Sequence, residues 1–455
     1  MRRKAVALIM AAGMLCVGAC GNGGDPQGST QKADAVSEAA EVPELVQPEM
    51  KGELSVSVYQ SEEWLDMAVQ MFEKKYPDMK VTVTPFFTGE DETITENGGE
   101  SLVDRPAGQT KEDYATWLNT QLISGDAGDI VITSDGLAVD KYRNMGVFED
   151  LAPYLAGSKE FNDDDYYMNI FEAYKTESGA LYQFPVSAMA CPLYMFDTRV
   201  VEESGTRDQI EGKALTWQEA VKVAQQMYDN SSLSGVAMPE ARTILGNIFT
   251  KEVVDSVDYD NGQVNLKADE LKEVLDAFDE FGYYNIYAWD PDSIRVFGLD
   301  YTADVENASM VLTNNEYVAA QWKQSDGKVH LSPYFTKDFG INSKSENKAL
   351  AWEFLRFLLS DDVQTLPSFP YAGINKNGLK ARVENYCETA GVADQSDAYL
   401  KLVGSWIACI DGYEAEDTDL IQIGDGILSE YMDGSLSEDE AIDEVKFRLE
   451  QYLSE

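Results

Sequence analysis

Leu54-Ser55-Val56-Ser57-Val58, then Trp64, Leu65, Ala68, Val69, Met71 and Phe72, then Met79-Lys80-Val81-Thr82-Val83-Thr84: this stretch decides the fold. The first piece alternates apolar and polar residues with period two, which predicts a strand. The second recurs at helical spacing until Tyr76-Pro77, where proline ends the helix. The third alternates again. Working outward, a polar, Gly-containing insertion runs from about Gly89 to Gln109. Tyr114, Trp117, Leu118, Gln121 and Leu122 then mark a second helix, closed by Gly125-Asp126-Ala127-Gly128, and Asp129-Ile130-Val131-Ile132-Thr133 reads as a third strand. Strand, helix, strand, helix, strand predicts a mostly parallel α/β sheet.

Farther along, Leu181-Tyr182-Gln183-Phe184-Pro185-Val186 and Leu193-Tyr194-Met195-Phe196 read as short strands around a bend. Thr216-Trp217-Gln218-Glu219 and Ser437-Glu438-Asp439-Glu440 are capping boxes that open helices. Two more helices are lined by Leu271, Val274, Leu275, Phe278 and Phe281, and by Ala349, Leu350, Phe354, Leu355 and Leu358. No internal repeat is present. The body is therefore α/β with a helical C-terminal third.

A chain of 455 residues suggests two or three domains. Its 81 acidic and 35 basic residues give a net charge of −46, which repels phosphate backbones and excludes nucleic acid as a partner. A hydrophobic share of 44% excludes global disorder. The one histidine, His330, excludes multi-histidine metal sites and argues against a His-based triad; its setting in Lys328-Val329-His330-Leu331 reads as a structural strand. No CxxC pair and no Walker A sequence occur. Asp163-Asp164-Asp165 and Asp255-Ser256-Val257-Asp258-Tyr259-Asp260-Asn261-Gly262 invite a calcium reading. The second places Val257 and Tyr259 at ligand positions, so both read as solvated turns. No metal and no cofactor are expected.

The N-terminus has a basic start, Arg2-Arg3-Lys4, followed by an apolar run from Ala5 to Val17. That run is too short to cross a membrane, which takes about 20 residues, but fits a secretory signal. It ends in Val17-Gly18-Ala19-Cys20, small residues before a cysteine, resembling the lipobox of bacterial lipoproteins. The resemblance implies a signal peptide over 1–19, lipidation (palmitate) at Cys20, and a flexible tether over 20–51. Processing would leave Cys191, Cys387 and Cys409, an odd number, read mainly as small buried apolar groups, with one disulfide as the alternative.

Several stretches together resemble the extracellular solute-binding proteins of ABC importers, in the carbohydrate-binding group that includes maltose-binding protein. They are Phe72-Glu73-Lys74-Lys75-Tyr76-Pro77-Asp78-Met79-Lys80-Val81, Leu118-Asn119-Thr120-Gln121-Leu122-Ile123-Ser124-Gly125 and Gly128-Asp129-Ile130-Val131. Gly179-Ala180-Leu181-Tyr182-Gln183-Phe184-Pro185-Val186, Leu193-Tyr194-Met195-Phe196-Asp197 and Ser345-Glu346-Asn347-Lys348-Ala349-Leu350-Ala351-Trp352-Glu353-Phe354-Leu355 complete the set. The likeness implies a two-lobed, type II periplasmic-binding-protein-like fold. Each lobe would be a mostly parallel sheet flanked by helices, one over 52–186 plus 334–365 and the other over 187–333 plus 366–455. A hinge between them would close on a ligand.

Ligands of α/β sheets bind beyond the carboxyl ends of strands. Two such ends are legible: Tyr59-Gln60-Ser61-Glu62-Glu63-Trp64 and Ser134-Asp135-Gly136. Sugars take carboxylates and amides for paired hydrogen bonds and aromatic faces for their C–H surfaces. Gln60, Glu63, Ser134 and Asp135 would supply the first and Trp64 the second, with core packing as the alternative for Trp64 and turn formation for Asp135. In Met310-Val311-Leu312-Thr313-Asn314-Asn315-Glu316-Tyr317, Tyr317 stands where relatives carry a sugar-stacking tryptophan, and the glycine before it is absent. Trp289, Tyr371 and Trp406 are further aromatic candidates, with the core as their alternative.

The resemblance implies a monomeric, lipid-anchored receptor on the extracellular face of a bacterial membrane. It would capture a sugar or oligosaccharide and deliver it to an ABC permease by population shift rather than by catalysis. The alternatives are another polar solute, such as a peptide or polyol, and a secreted carbohydrate-active enzyme.

Overall fold

The computed structural model describes residues 48–89, 94–96, 99–101, 108–143, 145–188, 192–234, 236–237, 241–281, 294–300, 304–331, 336–370, 372–414 and 417–454. The signal, Cys20, most of the tether, Cys191, Trp289 and Tyr371 lie outside them.

The opening stretch folds as its pattern predicts. Strand β1 (Gly52–Gln60), helix α1 (Glu63–Lys75) and strand β2 (Met79–Phe87) form a strand–helix–strand unit in which β1 and β2 pair in parallel, Gly52 opposite Met79. Helix α2 (Lys111–Ser124) starts at a capping box between Thr110 and Asp113 and ends at Gly125, whose φ of 86° suits glycine. Strand β3 (Ile130–Ile132) joins β1 in parallel, and the short helix α3 (Val139–Arg143) follows. The sheet is completed by β4 (Phe184–Ala188) and, from far along the chain, by β9 (Thr336–Ile341), in the order β2-β1-β3-β9-β4. The expected strand over 181–186 begins at Phe184, because Leu181 gives its backbone N–H to Asp150 and its carbonyl to Leu151 instead of to the sheet.

The second sheet contains β5 (Leu193–Asp197), β6 (Ala214–Leu215), β7 (Phe297–Asp300) and β8 (Tyr317–Trp322), in the order β7-β5-β8-β6. Around it lie α4 (Trp217–Asn230), opened by the expected Thr216–Glu219 capping box, and α5 (Ala241–Asp255). Helix α6 (Lys348–Leu358) returns to the first sheet, where Phe354 meets Phe72 edge-on at 5.1 Å. Helices α7 (Lys376–Thr389), α8 (Ser396–Ala408), α9 (Thr418–Met432) and α10 (Glu438–Ser454) form the helical C-terminal third.

Each sheet has one strand that runs against the rest. In the first, β9 is antiparallel to β3 and β4 while the other four run together; in the second, β5 is antiparallel to β7 and β8 while β7, β8 and β6 run together. The two reversed strands are the ones that enter from the other sheet. They begin at the edge where their neighbours end. The carboxyl edges of both sheets therefore share the side on which the chain crosses.

Two cores result. One gathers the first sheet with α1, α2 and α6; the other gathers the second sheet with α4, α5, α9 and α10. Helices α7 and α8 lie at the seam. Val383, Tyr399, Val403 and Ile407 share the first core, and Val305 and Ala308 from the second half meet them there. Cys387 is a free, buried thiol, as expected. Cys409 is free but exposed, because it follows the last turn of α8 beyond the buried face that ends with Trp406 and Ile407. Among the described residues no helix is long and apolar enough to cross a membrane.

Candidate functional site

At the first sheet's edge, the polar groups after β1 are largely engaged in holding the edge together. Glu62 accepts a hydrogen bond from the Trp64 indole at 2.9 Å and pairs with Lys337 of β9 at 2.6 Å. Trp64 is 2% exposed, its ring packed edge-on against Phe369 and Phe339 at 5.2 and 6.4 Å. Gln60 is half-buried and Glu63 exposed. After β3, Ser134 accepts a hydrogen bond from the Asp338 N–H at 3.3 Å. Asp135 is buried and pairs with Lys111 at 2.8 Å. Burial raises the phenol of Tyr114 well above its ordinary value, and the Asp135 charge adds to the shift.

At the second sheet, Tyr317 opens β8 opposite Asp197, at the end away from the shared edge; Trp322 closes that strand at the edge and is buried. Trp406 is buried, and its carbonyl accepts a hydrogen bond from Gln321 at 3.0 Å. Glu62, Ser134 and Trp64 thus meet around β9, whereas Tyr317 and Trp406 lie apart from them.

A cavity of about 340 Å³ opens where the two edges face each other. Ala138 and Asp140, just after β3, form one wall; Ser325, Asp326 and His330, just after β8, form another. Val254, Asp255, Val257, Tyr259, Lys267, Tyr413 and Asp417 complete it. His330-Leu331 and Gly412-Tyr413 pair as two short parallel strands, and a Cβ on Gly412 would collide with the imidazole. Glycine is what lets the histidine lie flat there. Tyr413 stacks on Tyr174 at 4.0 Å, and its hydroxyl accepts a hydrogen bond from Gln183 at 3.3 Å. A smaller cavity of about 160 Å³ shares Asp140 and Tyr413.

The carboxylates of this cavity differ in their partners. Asp140 binds Arg143 at 2.7 Å, and Asp255 binds the buried Lys251 at 2.9 Å. Burial raises the Asp140 carboxyl above its usual value against the pull of Arg143. Burial lowers Lys251, but the carboxylates of Asp255 and Glu414 more than offset it and leave the ammonium more basic than usual. Asp326 accepts from His330 Nε2 at 2.8 Å and from the Lys328 N–H at 3.0 Å. Burial raises its carboxyl, yet these hydrogen bonds prevail and hold it well below the ordinary range. Asp417 caps α9 through Leu420 N–H at 3.1 Å and accepts the hydroxyls of Tyr259 and of Tyr452, the latter at 2.7 Å. Burial, with the Asp417 charge added, pushes both phenols far up, so both stay protonated donors.

The arrangement suits binding: carboxylates to accept hydroxyls and tyrosine rings to lie on C–H faces. Nδ1 of His330 is buried with no hydrogen-bond partner, so among the described residues no hydroxyl or thiol nucleophile is joined to it. Among the described residues, no group of three or more His, Cys, Asp or Glu is placed to hold a metal ion. The Asp258 turn is closed by its own neighbours Asn261 and Asn265.

Sequence reasoning missed Asp140, Tyr259, Asp326, Tyr413 and Asp417. Tyr259 lay in the stretch weighed for calcium, and His330 was legible as a strand residue but not as a cavity wall. Two of them carry a positional signal, since Asp140 and Asp326 each follow the carboxyl end of a strand. The rest are brought in by long-range packing.

The family described as bacterial extracellular solute-binding protein matches residues 57–365. No curated protein sequence matches the chain. Among solved structures, an extracellular solute-binding protein of family 1 from Alicyclobacillus acidocaldarius is similar with a TM-score of 0.56 at 14% identity, over 89% of this chain and 99% of that one. A sugar-binding protein of Xanthomonas citri is similar at 0.55 and 14%, over 89% and 98%. A periplasmic oligogalacturonide-binding protein of Yersinia enterocolitica is similar at 0.53 and 13%, over 89% and 99%.

Proposed function

Because the chain belongs to the family of bacterial extracellular solute-binding proteins, we propose that it captures a sugar or small oligosaccharide between two hinged lobes and presents it to an ABC permease. The observation that carries the reading is the cavity of about 340 Å³ lying where the carboxyl edges of both sheets meet, lined from both sides. We place the lobes at 52–186 plus 334–365 and 187–333 plus 366–455, with α7 and α8 at the seam. A ligand touching both walls binds the closed form better than the open one, and that difference alone shifts the population. The chain acts as a monomer and does no chemistry on its ligand. It is held at the outer membrane face by lipid on Cys20; an unmodified residue other than Cys20 at the mature N-terminus, by mass spectrometry, would remove the anchor.

The test is a thermal-shift screen of mono- and oligosaccharides with product analysis alongside. At a hundredfold excess over Kd a true ligand stabilises the fold by about 2.7 kcal/mol, with the sugar recovered intact. Cleavage of the sugar would assign the chain to the carbohydrate-active enzymes instead. Stabilisation by peptides but by no sugar would move the solute class.

A further inference from the structure

We propose, resting on the reading of the interlobe cavity as the ligand site, that the site selects its solute by charge: it takes a sugar of one or two rings that carries an amine, tolerates the neutral parent, and rejects the corresponding uronate. The size follows from the volume, since about 340 Å³ stands at the low end of the roughly 300–1,000 Å³ typical of ligand pockets. The charge follows from how each lining carboxylate is satisfied. Asp140 and Asp255 have Arg143 and Lys251 against them, so their charges are compensated in place. Asp417 is held by two tyrosine hydroxyls and one backbone N–H, all neutral donors. Among the described residues no Lys, Arg or His pairs with it. Asp326 accepts from the imidazole of His330 and the backbone N–H of Lys328, and the Lys251 ammonium that acts on it from farther off is already matched by Asp255 and Glu414. Lys267, the lysine on the wall, is itself turned to Glu270 at 3.3 Å and Glu252 at 4.0 Å. The wall therefore faces the ligand with a net negative field from Asp326 and Asp417.

A carboxylate on the ligand is repelled by Asp326 and Asp417 at short range. An ammonium gains charge-assisted hydrogen bonds from the same groups. The fold alone does not impose this choice, since a similar structure is that of an oligogalacturonide-binding protein. The choice lies in these side chains.

Binding of matched series to the full-length chain, measured by calorimetry at low and at physiological salt, tests the proposal. The series are glucose, glucosamine and glucuronate; galactose, galactosamine and galacturonate; and mannose, mannosamine and mannuronate, each with its 1,4-linked disaccharides. In whichever series binds, the amine is expected about tenfold tighter than the neutral sugar and the uronate at least a hundredfold weaker. Asp417→Asn, which keeps an N-cap side chain, should shrink the amine-to-uronate ratio tenfold or more. Asp326→Asn should do the same, and serves if the first variant is unstable by thermal melt. A uronate that binds as well as its neutral parent, or ratios untouched by both variants, overturns the charge selection and leaves the receptor intact. A screen in which no sugar of any charge binds overturns the sugar reading on which the proposal rests.

Discussion

The loops after β1 and β3 and the segments after β8 occupy equivalent places, at the carboxyl edges of two sheets that face one another, yet their side chains do different work. On the first edge polar and aromatic groups are satisfied internally: Glu62 by Lys337 and Trp64, Asp135 by Lys111, Ser134 by Asp338. On the second edge Asp326, His330, Tyr413 and Asp417 line open volume. The difference teaches that position at a strand's end is necessary for a ligand role and not sufficient. What separates the two edges is whether the hydrogen-bonded groups are packed shut or border open volume.

Trp64→Ala against Tyr413→Ala is the sharpest way to break that contrast. Trp64 is enclosed by Phe339 and Phe369, so its truncation leaves a core cavity and is expected to cost about 3–5 kcal/mol of stability. Ligand affinity of the protein that remains folded should be unchanged. Tyr413 is half-buried with one face on Tyr174 and the other side lining the cavity. Its truncation should cost about 1–2 kcal/mol of stability while weakening the ligand tenfold or more. Denaturant melts paired with titrations read both quantities. Affinity lost with Trp64 and kept with Tyr413 would reverse the assignment of the two edges.

A second contrast sets Asp129 against Asp417, two carboxylates held by hydroxyl donors. Asp129 accepts from Ser55 twice at 2.8 Å, from Ser345 at 2.6 Å and from Asn347 at 3.2 Å, all within the first lobe. Burial raises its carboxyl, but these hydrogen bonds outweigh burial and leave it below the ordinary value. A carboxyl depressed in the folded state stabilises above its unfolded pKa, about 3.9, and the stabilisation disappears as pH falls through the folded value. Asp129→Asn is therefore expected to cost about 2 kcal/mol at pH 7, with the gap from the parent closing toward pH 3. Melts across that range check it, and a gap independent of pH would show that the charge is not what the serines hold.

Asp129 also shows how much the sequence could say. Gly128-Asp129-Ile130-Val131 and Ser345-Glu346-Asn347 were two separate pieces of the family likeness, and in the fold they meet through that one carboxylate. The strands, the α1 and α2 helices and the capping box at Thr216 were legible because period-two and helical patterns are local. The crossing of the chain between two sheets came from the order of the pieces. The cavity was not legible. Its walls come from residues 138–140, 254–267, 325–330 and 413–417, and no local pattern brings four such segments together. Trp64 stayed open between ligand and core for a related reason: a tryptophan on a helix's apolar stripe and one in a loop read alike until the distant neighbours Phe339 and Phe369 are known.

The smallest effect is expected where the two edges touch. Helix α3 reaches across from the first lobe: Arg143 pairs with Asp260 at 2.9 Å, and Lys141 lies over the Tyr452 ring at 4.3 Å. Asp260 is about half exposed, so the ion pair is worth no more than about 1 kcal/mol, and the cation–π contact contributes about 0.5–1 kcal/mol. Both join the two proposed lobes, so on the reading of a hinged receptor they act on the opening equilibrium rather than on folding. Arg143→Ala should leave the melting midpoint of the unliganded chain within a degree or two, weaken ligand about two- to fivefold, and widen the radius of gyration in solution scattering without ligand. Charge reversal at both positions, Arg143→Asp with Asp260→Arg, should restore part of the affinity. The affinity difference between Arg143→Ala and the parent should fall as salt is added, because a pair this exposed is screened. A difference that survives high salt would place the role of Arg143 in its half-buried partner Asp140, on the cavity wall, rather than in closure.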